Sequence, residues 1–214
     1  DALETGSRFE RVIRFSRSSD SPVPVDLTSE ASIEKAATWM QGEGILPSLI
    51  FVATGLLHDA ERGPEKSLRQ LDADWLMLNY QVNAIGPALI AKYFLPLMNR
   101  DETIRFAALS ARVGSISDNR LGGWHGYRAS KAALNMMIRN LSIEWSRKND
   151  KSIIVALHPG TVDTMLSQPF QSNVPAGKLF DSDRAARQLL DVLDGLKPAQ
   201  SGKIFAWDGA EILP

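Results

Sequence analysis

Cysteine is absent from this sequence of 214 residues. Its absence excludes disulfide bonds, thiol catalysis and metal sites built on cysteine, and it favours a cytoplasmic location. An excess of either charge is also lacking, because 24 lysines and arginines stand against 25 aspartates and glutamates. We therefore expect neither a nucleic acid nor a membrane surface as a partner. No apolar run approaches the ~18 residues of a membrane-spanning helix.

Histidine is scarce, and His58, His125 and His158 are the 3 that the sequence contains. Their positions do not follow the spacing of metal ligands. The sequence therefore predicts no metal site and leaves solvated, packed or substrate-facing roles for these side chains.

Apolar residues are plentiful at 44% of the chain, enough for one well-packed domain over residues 1–214. Apolar runs of strand length alternate with segments of helical periodicity. This order predicts an α/β fold, a doubly wound parallel sheet with helices on both faces. The predicted strands span residues 12–15, 49–53, 104–109, 153–157 and 203–207, and the predicted helices span about 28–40, 74–98, 127 onward and 181–196.

One of these helices begins with a pair of residues suited to catalysis. Tyr127 and Lys131 have the i, i+4 spacing that places a phenol and an ammonium on one helix face. A tyrosine in water titrates near ~10, and a nearby ammonium favours the phenolate. We expect Lys131 to lower the pKa of Tyr127 into the range of acid/base catalysis. The alternative is a surface tyrosine and lysine that share a face by accident.

Polar residues follow the strands on either side of this helix. Ser110 comes directly after one strand, and His158, Pro159 and Gly160 come after the next. In open parallel sheets, ligands bind outside the carboxyl ends of the strands. We expect the site at this edge, with Trp124, His125 and the 165–180 loop bordering a substrate pocket, the loop acting as a lid.

Several ordered motifs resemble the classical short-chain dehydrogenase/reductase family. Within it, the sequence is most similar to the branch of the C-factor and the sniffer-type carbonyl reductases, from about Val12 to its end. The matching stretches are Tyr127 to Lys131 as Tyr-x-x-x-Lys, Asn83 to Pro87 as Asn-x-x-Gly-Pro, Pro159 to Thr164 as Pro-Gly-x-Val-x-Thr, the loop 114–119 and the Trp207-Asp208-Gly209 ending.

The resemblance implies a Rossmann-like fold and hydride transfer between a nicotinamide cofactor and a small-molecule carbonyl or alcohol. It assigns proton donation to Tyr127, ribose binding and lowering of the tyrosine pKa to Lys131, a proton relay to Asn83 and the orientation of the carbonyl to Ser110. A solvent-facing Asn83 is the alternative from the residues alone. The implied cofactor-binding residues are Arg17, Asp26, Leu27, Ala53, Thr54, Gly55, Tyr127, Lys131, Pro159, Gly160, Val162 and Thr164.

Arg17 decides the expected cofactor. It stands where the family reads the adenosine ribose, and an arginine there accommodates the 2′-phosphate of NADP. We therefore predict NADP, with NAD possible if Arg17 is an ordinary surface charge. Asp26 matches the family's contact to the adenine ring, or it is simply a turn residue.

The serine is the least secure assignment, because Ala111 occupies the place where the family carries its catalytic serine. Ser110 is the choice by motif, and Ser115 and Ser117 in the following loop are the substitutes. A strand-end serine that only satisfies backbone groups is the alternative. Ala53-Thr54-Gly55 also departs from the family's Asn-Asn-Ala-Gly.

The family's first strand and glycine-rich turn have no counterpart in the sequence before Val12. We expect the 214 residues to be a fragment of a longer protein; the alternative is a protein that truly lacks this segment. We expect poor pyrophosphate binding by this stretch alone.

Both long helices carry apolar residues on more than one face, which predicts a homodimer or homotetramer. Two other classes of function stay open. In the first, the chain is a C-factor-like signalling protein that keeps the fold with little or no turnover, and in the second it is a scaffold that only self-associates.

Overall fold

The sheet of the computed structural model, which describes residues 3–4 and 8–214, confirms the predicted α/β class. In the described residues it has the strand order β1-β2-β3-β6-β7, and the first four of these strands are parallel. The last strand, β7, is antiparallel to β6. The strands are β1 (Leu49–Val52), β2 (Arg105–Leu109), β3 (Ile153–His158), β6 (Ile204–Ala206) and β7 (Glu211–Ile212), with β4 (Thr161–Val162) and β5 (Leu179–Phe180) forming a separate parallel pair.

The helices lie close to their predicted positions. Ser29 and Asp181 cap α1 and α5 by accepting hydrogen bonds from the backbone of the first turn. The α-helices are α1 (Glu30–Gly42), α2 (Ala73–Tyr80), α3 (Gly86–Phe94), α4 (His125–Ser146) and α5 (Ser182–Gly195). Short 3₁₀ turns span Leu68–Gln70, Leu95–Leu97, Arg112–Gly114, Gln168–Asn173 and Pro198–Gln200.

The helical segment predicted over 74–98 is continuous but not uniform. A π turn, Gln81–Ile85, joins α2 to α3, and the N–H of Gly86 donates to the carbonyl of Gln81 five residues back. Pro87, which has no N–H, follows at the start of α3. The predicted helix is therefore interrupted by a widened turn at the Asn83–Pro87 motif.

The core lies on both faces of the sheet. Alternate residues of β2 and β3 face opposite sides, so Phe106 and Ile154 pack towards α1, α3 and α4, whereas Ala107 and Val155 pack towards α5. Strands buried on both faces read as continuous apolar runs, which explains why the sequence predicted them well.

The strand predicted at 12–15 is wrong. This segment joins no β-ladder in the described part of the chain. Instead, the ring of Phe15 packs edge-on against Trp39 and Phe94, with centroid distances of 5.9 and 5.8 Å. The position of this segment is therefore set by the packing of the Phe15 side chain and not by hydrogen bonds to a neighbouring strand.

None of the described helices combines the length and the apolar character that crossing a membrane requires.

Candidate active site

Tyr127 and Lys131 lie on one face of α4, at the carboxyl edge of the sheet. Both side chains are buried, with 8% and 2% of their surface exposed. The Nζ atom of Lys131 lies 5.7 Å from the ring centroid of Tyr127. It donates a hydrogen bond of 2.7 Å to the carbonyl of Leu109, the last residue of β2. The structure therefore places the two side chains on one helix face, as the spacing predicted, and joins Lys131 to the strand end.

The electrostatics of this pair differ from the expectation. Burial raises the pKa of Tyr127 to about 12 and lowers the pKa of Lys131 to about 7. Desolvation disfavours the charged form of each group and causes both shifts. At neutral pH, Tyr127 keeps its proton and Lys131 is close to its titration midpoint. The predicted lowering of the tyrosine pKa by Lys131 is not present in this structure.

Asn83 lies in the π turn and is fully buried, which excludes the solvent-facing alternative. Its Oδ1 accepts from the N–H of Leu56 at 2.8 Å, and its Nδ2 donates to the carbonyl of Leu56 at 2.8 Å. Nδ2 also lies 3.0 Å from Oγ of Ser130 and 3.4 Å from Oδ1 of Asn79. The carboxamide thus fastens the loop after β1 to the helical segment.

Gly55 in this loop comes close to Lys131 and Asn83. A Cβ built on it would lie 3.6 Å from Nζ of Lys131 and 3.7 Å from Oδ1 of Asn83. Ala53, Thr54 and Gly55 are exposed. Their backbone therefore borders Lys131 from the solvent side, where a ligand would approach.

Ser110 is buried and already has a partner. Its hydroxyl donates to Oδ1 of Asn135 on α4 at 2.7 Å, and its N–H donates to the carbonyl of Leu157. Because the hydroxyl proton is used by Asn135, this contact supports the structural role rather than orientation of a carbonyl.

The two substitute serines point to a different place. Ser115 is buried and accepts from the N–H of Asp118 at 3.1 Å, and its Oγ lies 3.3 Å from that of Ser117. With Arg112, Asp118, Glu211 and Leu213, they line a cavity of about 430 Å³.

The turn after β3 requires a glycine at position 160. Gly160 has φ +76°, and a Cβ there would lie 2.8 Å from the ring of Phe180. The half-buried Pro159 precedes it, Val162 forms part of β4, and Thr164 is exposed. This Pro-Gly turn therefore lies at the same edge of the sheet as Lys131.

His158, immediately before this turn, is a packed neutral residue. Burial and, to a smaller extent, the positive charge of Arg112 lower its pKa to about 4, although Asp208 partly offsets these two effects. Of the roles left open for the histidines, His158 therefore has the packed one.

Asp26 is engaged in its own turn. Its carboxylate accepts from the N–H and the hydroxyl of Thr28 at 2.8 and 2.7 Å, and these bonds hold its pKa below the usual value. The exposed Arg17 is near enough for its charge to lower that pKa further. Leu27 packs against the core beside them. Arg17 and Asp26 thus lie close enough for their charges to interact.

Aromatic rings border Tyr127 on the outer side. The ring of Trp124 lies 6.3 Å from that of Tyr127 and 5.0 Å from that of Phe170, and His58 lies 5.8 Å from Phe170. Nε2 of His58 is 3.1 Å from the carbonyl of Met165. The loop predicted to act as a lid therefore contacts both sides of the site in this structure.

The donor groups fit a nicotinamide cofactor at this edge. An ammonium with donors beyond the one given to Leu109, a protonated phenol and the exposed hydroxyl of Thr164 suit ribose and amide groups. Within the described ranges, no cluster of three or more histidines, aspartates or glutamates could hold a metal ion.

Two residues near the site carried no signal in the sequence. Glu65 is buried beside the start of α4, and Ser130 is buried against Asn83. Glutamate in a variable loop and serine within a helix are both usually exposed, so only the structure reveals them.

Comparison with known proteins gives one family model that matches residues 4–194; it is described as enoyl-(acyl carrier protein) reductase. The 1-hydroxy-2-glutathionyl-2-methyl-3-butene dehydrogenase of Rhodococcus sp. (strain AD45) is 32% identical over 185 residues, which are 86% of this chain and 76% of that protein. C-signal of Myxococcus xanthus is 34% identical over 146 residues, 68% of this chain and 82% of that protein.

Solved structures give the same fold. The carbonyl reductase Sniffer of D. melanogaster aligns with a TM-score of 0.76 at 22% identity, over 89% of this chain and 77% of that one. The NADPH-bound carbonyl reductase from chicken fatty liver aligns with a TM-score of 0.76 at 27% identity, over 90% of this chain and 76% of that one.

Proposed function

This chain belongs to the short-chain dehydrogenase/reductase family of NAD(P)-dependent oxidoreductases, and we propose that it reduces a small carbonyl compound with NADPH. The observation that carries this proposal is the buried Tyr127/Lys131 pair at the carboxyl edge of the sheet. The dehydrogenase and reductase names of its relatives support the same reaction class.

The proposed mechanism uses Tyr127 as the proton donor. Lys131 and Thr164 would hold a nicotinamide cofactor, which would supply the hydride for the carbonyl carbon. The phenol of Tyr127 gives its proton to the carbonyl oxygen as negative charge develops there, so that an alcohol is formed. Because burial raises the pKa of Tyr127 to about 12, the donor is fully protonated at neutral pH.

Lys131 has a binding role in this proposal. One of its N–H groups is held by the carbonyl of Leu109, and the others remain for the ribose hydroxyls. Binding of these hydroxyls restores polar partners to the ammonium, which favours its charged form and so the developing phenolate. Asn83 would keep the loop at Gly55 in place beside this contact.

The direct test follows nicotinamide absorbance with the full-length protein against aldehydes, ketones and quinones. Tyr127→Phe is the matched variant, because it keeps the ring that packs against Trp124 and removes only the hydroxyl. We expect it to abolish reduction and to leave cofactor affinity nearly unchanged. Absence of turnover across a broad panel with either cofactor would overturn the proposal.

The preference for NADPH rests on Arg17, and the NADPH-bound neighbour supports it. An exposed arginine close to Asp26 can pair with a 2′-phosphate. Arg17→Glu should raise KM for NADPH by about tenfold or more, the cost of a lost charge-assisted bond, and should spare KM for NADH. Arg11→Glu is the charge-matched control, since Arg11 is also exposed. Equal effects of the two substitutions would remove Arg17 from the site.

A signalling role is the second candidate, because Ala111 stands at the serine position and Ser110 is bound to Asn135. The similarity to C-signal supports this alternative. Measurable NADPH binding without turnover on any carbonyl would favour it over the enzyme.

A further inference from the structure

The chain enters α4 through an unusual run of backbone conformations. Gly122, Gly123 and Trp124 have φ of 64°, 63° and 51°, and Trp124 is the residue other than glycine with a positive φ among those described. A tryptophan in this region is disfavoured, because its Cβ crowds the backbone. The side chain of Trp124 makes no capping hydrogen bond to the helix that follows. Other groups must therefore hold the backbone in this conformation at the start of α4.

Glu65 supplies the missing cap from a distant loop. It is buried, with 3% of its surface exposed. Its main-chain carbonyl accepts from the N–H of Trp124 at 2.5 Å, and its Oε2 accepts from the N–H of Gly126 at 3.1 Å. The approach is so close that a Cβ at Gly126 would lie 2.9 Å from Oε1. A carboxylate in this place also complements the positive end of the helix dipole.

Arg128 holds the same entry from the opposite side. Its Nε donates to the carbonyls of Gly122 and Gly123 at 3.2 and 3.1 Å, and its Nη1 donates to that of Val113 at 3.3 Å. The left-handed run is therefore fixed between the carboxylate of Glu65 and the guanidinium of Arg128.

The residue directly after Gly126 is Tyr127. We infer that Glu65 is a positioning residue, which fixes the first turn of α4 and so places the hydroxyl of Tyr127 and the ring of Trp124. The contact of Trp124 with Phe170 at 5.0 Å extends this effect to the lid. Placement within an ångström matters, because small misplacements of a catalytic group can cost ~100-fold in rate.

Hydrogen exchange tests this inference without any need for turnover. Glu65→Ala removes the acceptor of the Gly126 N–H, whereas Glu65→Gln keeps an acceptor of similar shape. Glu61→Ala, at an exposed position of the same loop, is the control. We expect peptides covering 122–128 to exchange about tenfold faster in Glu65→Ala, as a lost bond to a charged group predicts. The control should match the native protein, and Glu65→Gln should lie between them.

The kinetic arm rests on the proposed function and uses the full-length enzyme. Glu65→Ala should lower kcat by ~10- to 100-fold through misplacement of Tyr127, with KM for NADPH unchanged, and Glu65→Gln should restore most of kcat. Native exchange over 122–128 in Glu65→Ala, or faster exchange with native kcat, overturns the positioning role. Should Glu65→Ala not fold, Glu65→Gln alone must exchange faster than the native chain, because an amide is the weaker acceptor. Absence of turnover in the native enzyme would refute the proposed function, while the exchange result still decides whether Glu65 holds the helix.

Discussion

The carboxamide of Asn83 bonds to both backbone groups of Leu56, accepting from its N–H and donating to its carbonyl at 2.8 Å each. This pairing resembles one rung of a β-ladder, but one of the partners is a side chain. It connects the π turn to the loop that borders Lys131.

Asn83→Ala should therefore destabilise the fold as well as the site. It leaves the N–H and carbonyl of Leu56 without these partners, and each unsatisfied buried group costs about 1–3 kcal/mol. Because Leu56 is only half-buried, we expect the free energy of unfolding in urea to fall by ~2–4 kcal/mol, the lower part of the range for two such groups. Asn140→Ala, at an exposed position of α4, should change it little. Equal losses in the two variants would contradict a stabilising role for the hydrogen bonds between Asn83 and Leu56.

Lys131 should make stability depend on pH. Burial lowers its pKa to about 7, well below the value of an unfolded lysine. Between these two values the unfolded chain binds more protons, so the free energy of unfolding rises as the pH rises. From pH 7 to pH 9 the gain should be on the order of 2 kcal/mol. The opposite effect of Tyr127 begins only near its unfolded pKa of ~10.

Urea unfolding at pH 7 and pH 9 measures this effect. Lys131→Met should be more stable than the native chain at pH 7, because no buried ammonium remains to be desolvated. For the same reason its free energy of unfolding should not rise from pH 7 to pH 9. Lys35→Met, at an exposed position of α1, should show the same rise as the native chain. A native chain that is no more stable at pH 9 than at pH 7 would show that the ammonium is not desolvated.

Ser110→Ala should retain turnover in the full-length protein. Its hydroxyl donates to Asn135, so the substitution should lower the free energy of unfolding by about 1 kcal/mol, the usual net value of a hydrogen bond. Measurement of kcat with any accepted carbonyl decides the point. A drop of two orders of magnitude would restore Ser110 as the group that orients the carbonyl, and Ser115→Ala and Ser117→Ala are the matched comparisons.

Self-association should occur through α2, the π turn and α4. Large apolar side chains are exposed there, with Met77 at 60%, Ile85 at 42% and Met136 at 61%. Such surfaces usually mark interfaces, and two-fold assemblies are the commonest. We expect light scattering to give a dimer or tetramer and Met136→Glu to give a smaller species. Leu121→Glu, on an exposed loop at 90%, is the control. A native monomer at high concentration contradicts this prediction.

The sequence predicts the main strands and helices because β2 and β3 are buried on both faces and α4 has a clear apolar stripe. It fails at residues 12–15, where an apolar run is placed by the packing of Phe15 and not by pairing. A local sequence pattern indicates that a side chain is buried, but it does not indicate which part of the protein packs against it.

The candidate site shows the same limit. The spacing of Tyr127 and Lys131 places both on one helix face, but the direction of their pKa shifts depends on how much water each retains. Glu65 lies far from α4 in the chain and follows no motif. Only the folded structure brings its carboxylate to the start of that helix.

The π turn at Gln81–Ile85 has an evolutionary consequence. A wide turn holds one residue more than an α-helical turn, so it takes up that residue without rotating α2 relative to α3. A further residue inserted with α-helical geometry would rotate everything before it by about 100° relative to everything after it. Asn79 and Asn83 could then no longer face inward while Ile90 and Phe94 stay in the core. Descendants of this gene should therefore accept substitutions here but not further insertions, and insertions should accumulate in the 58–70 loop instead.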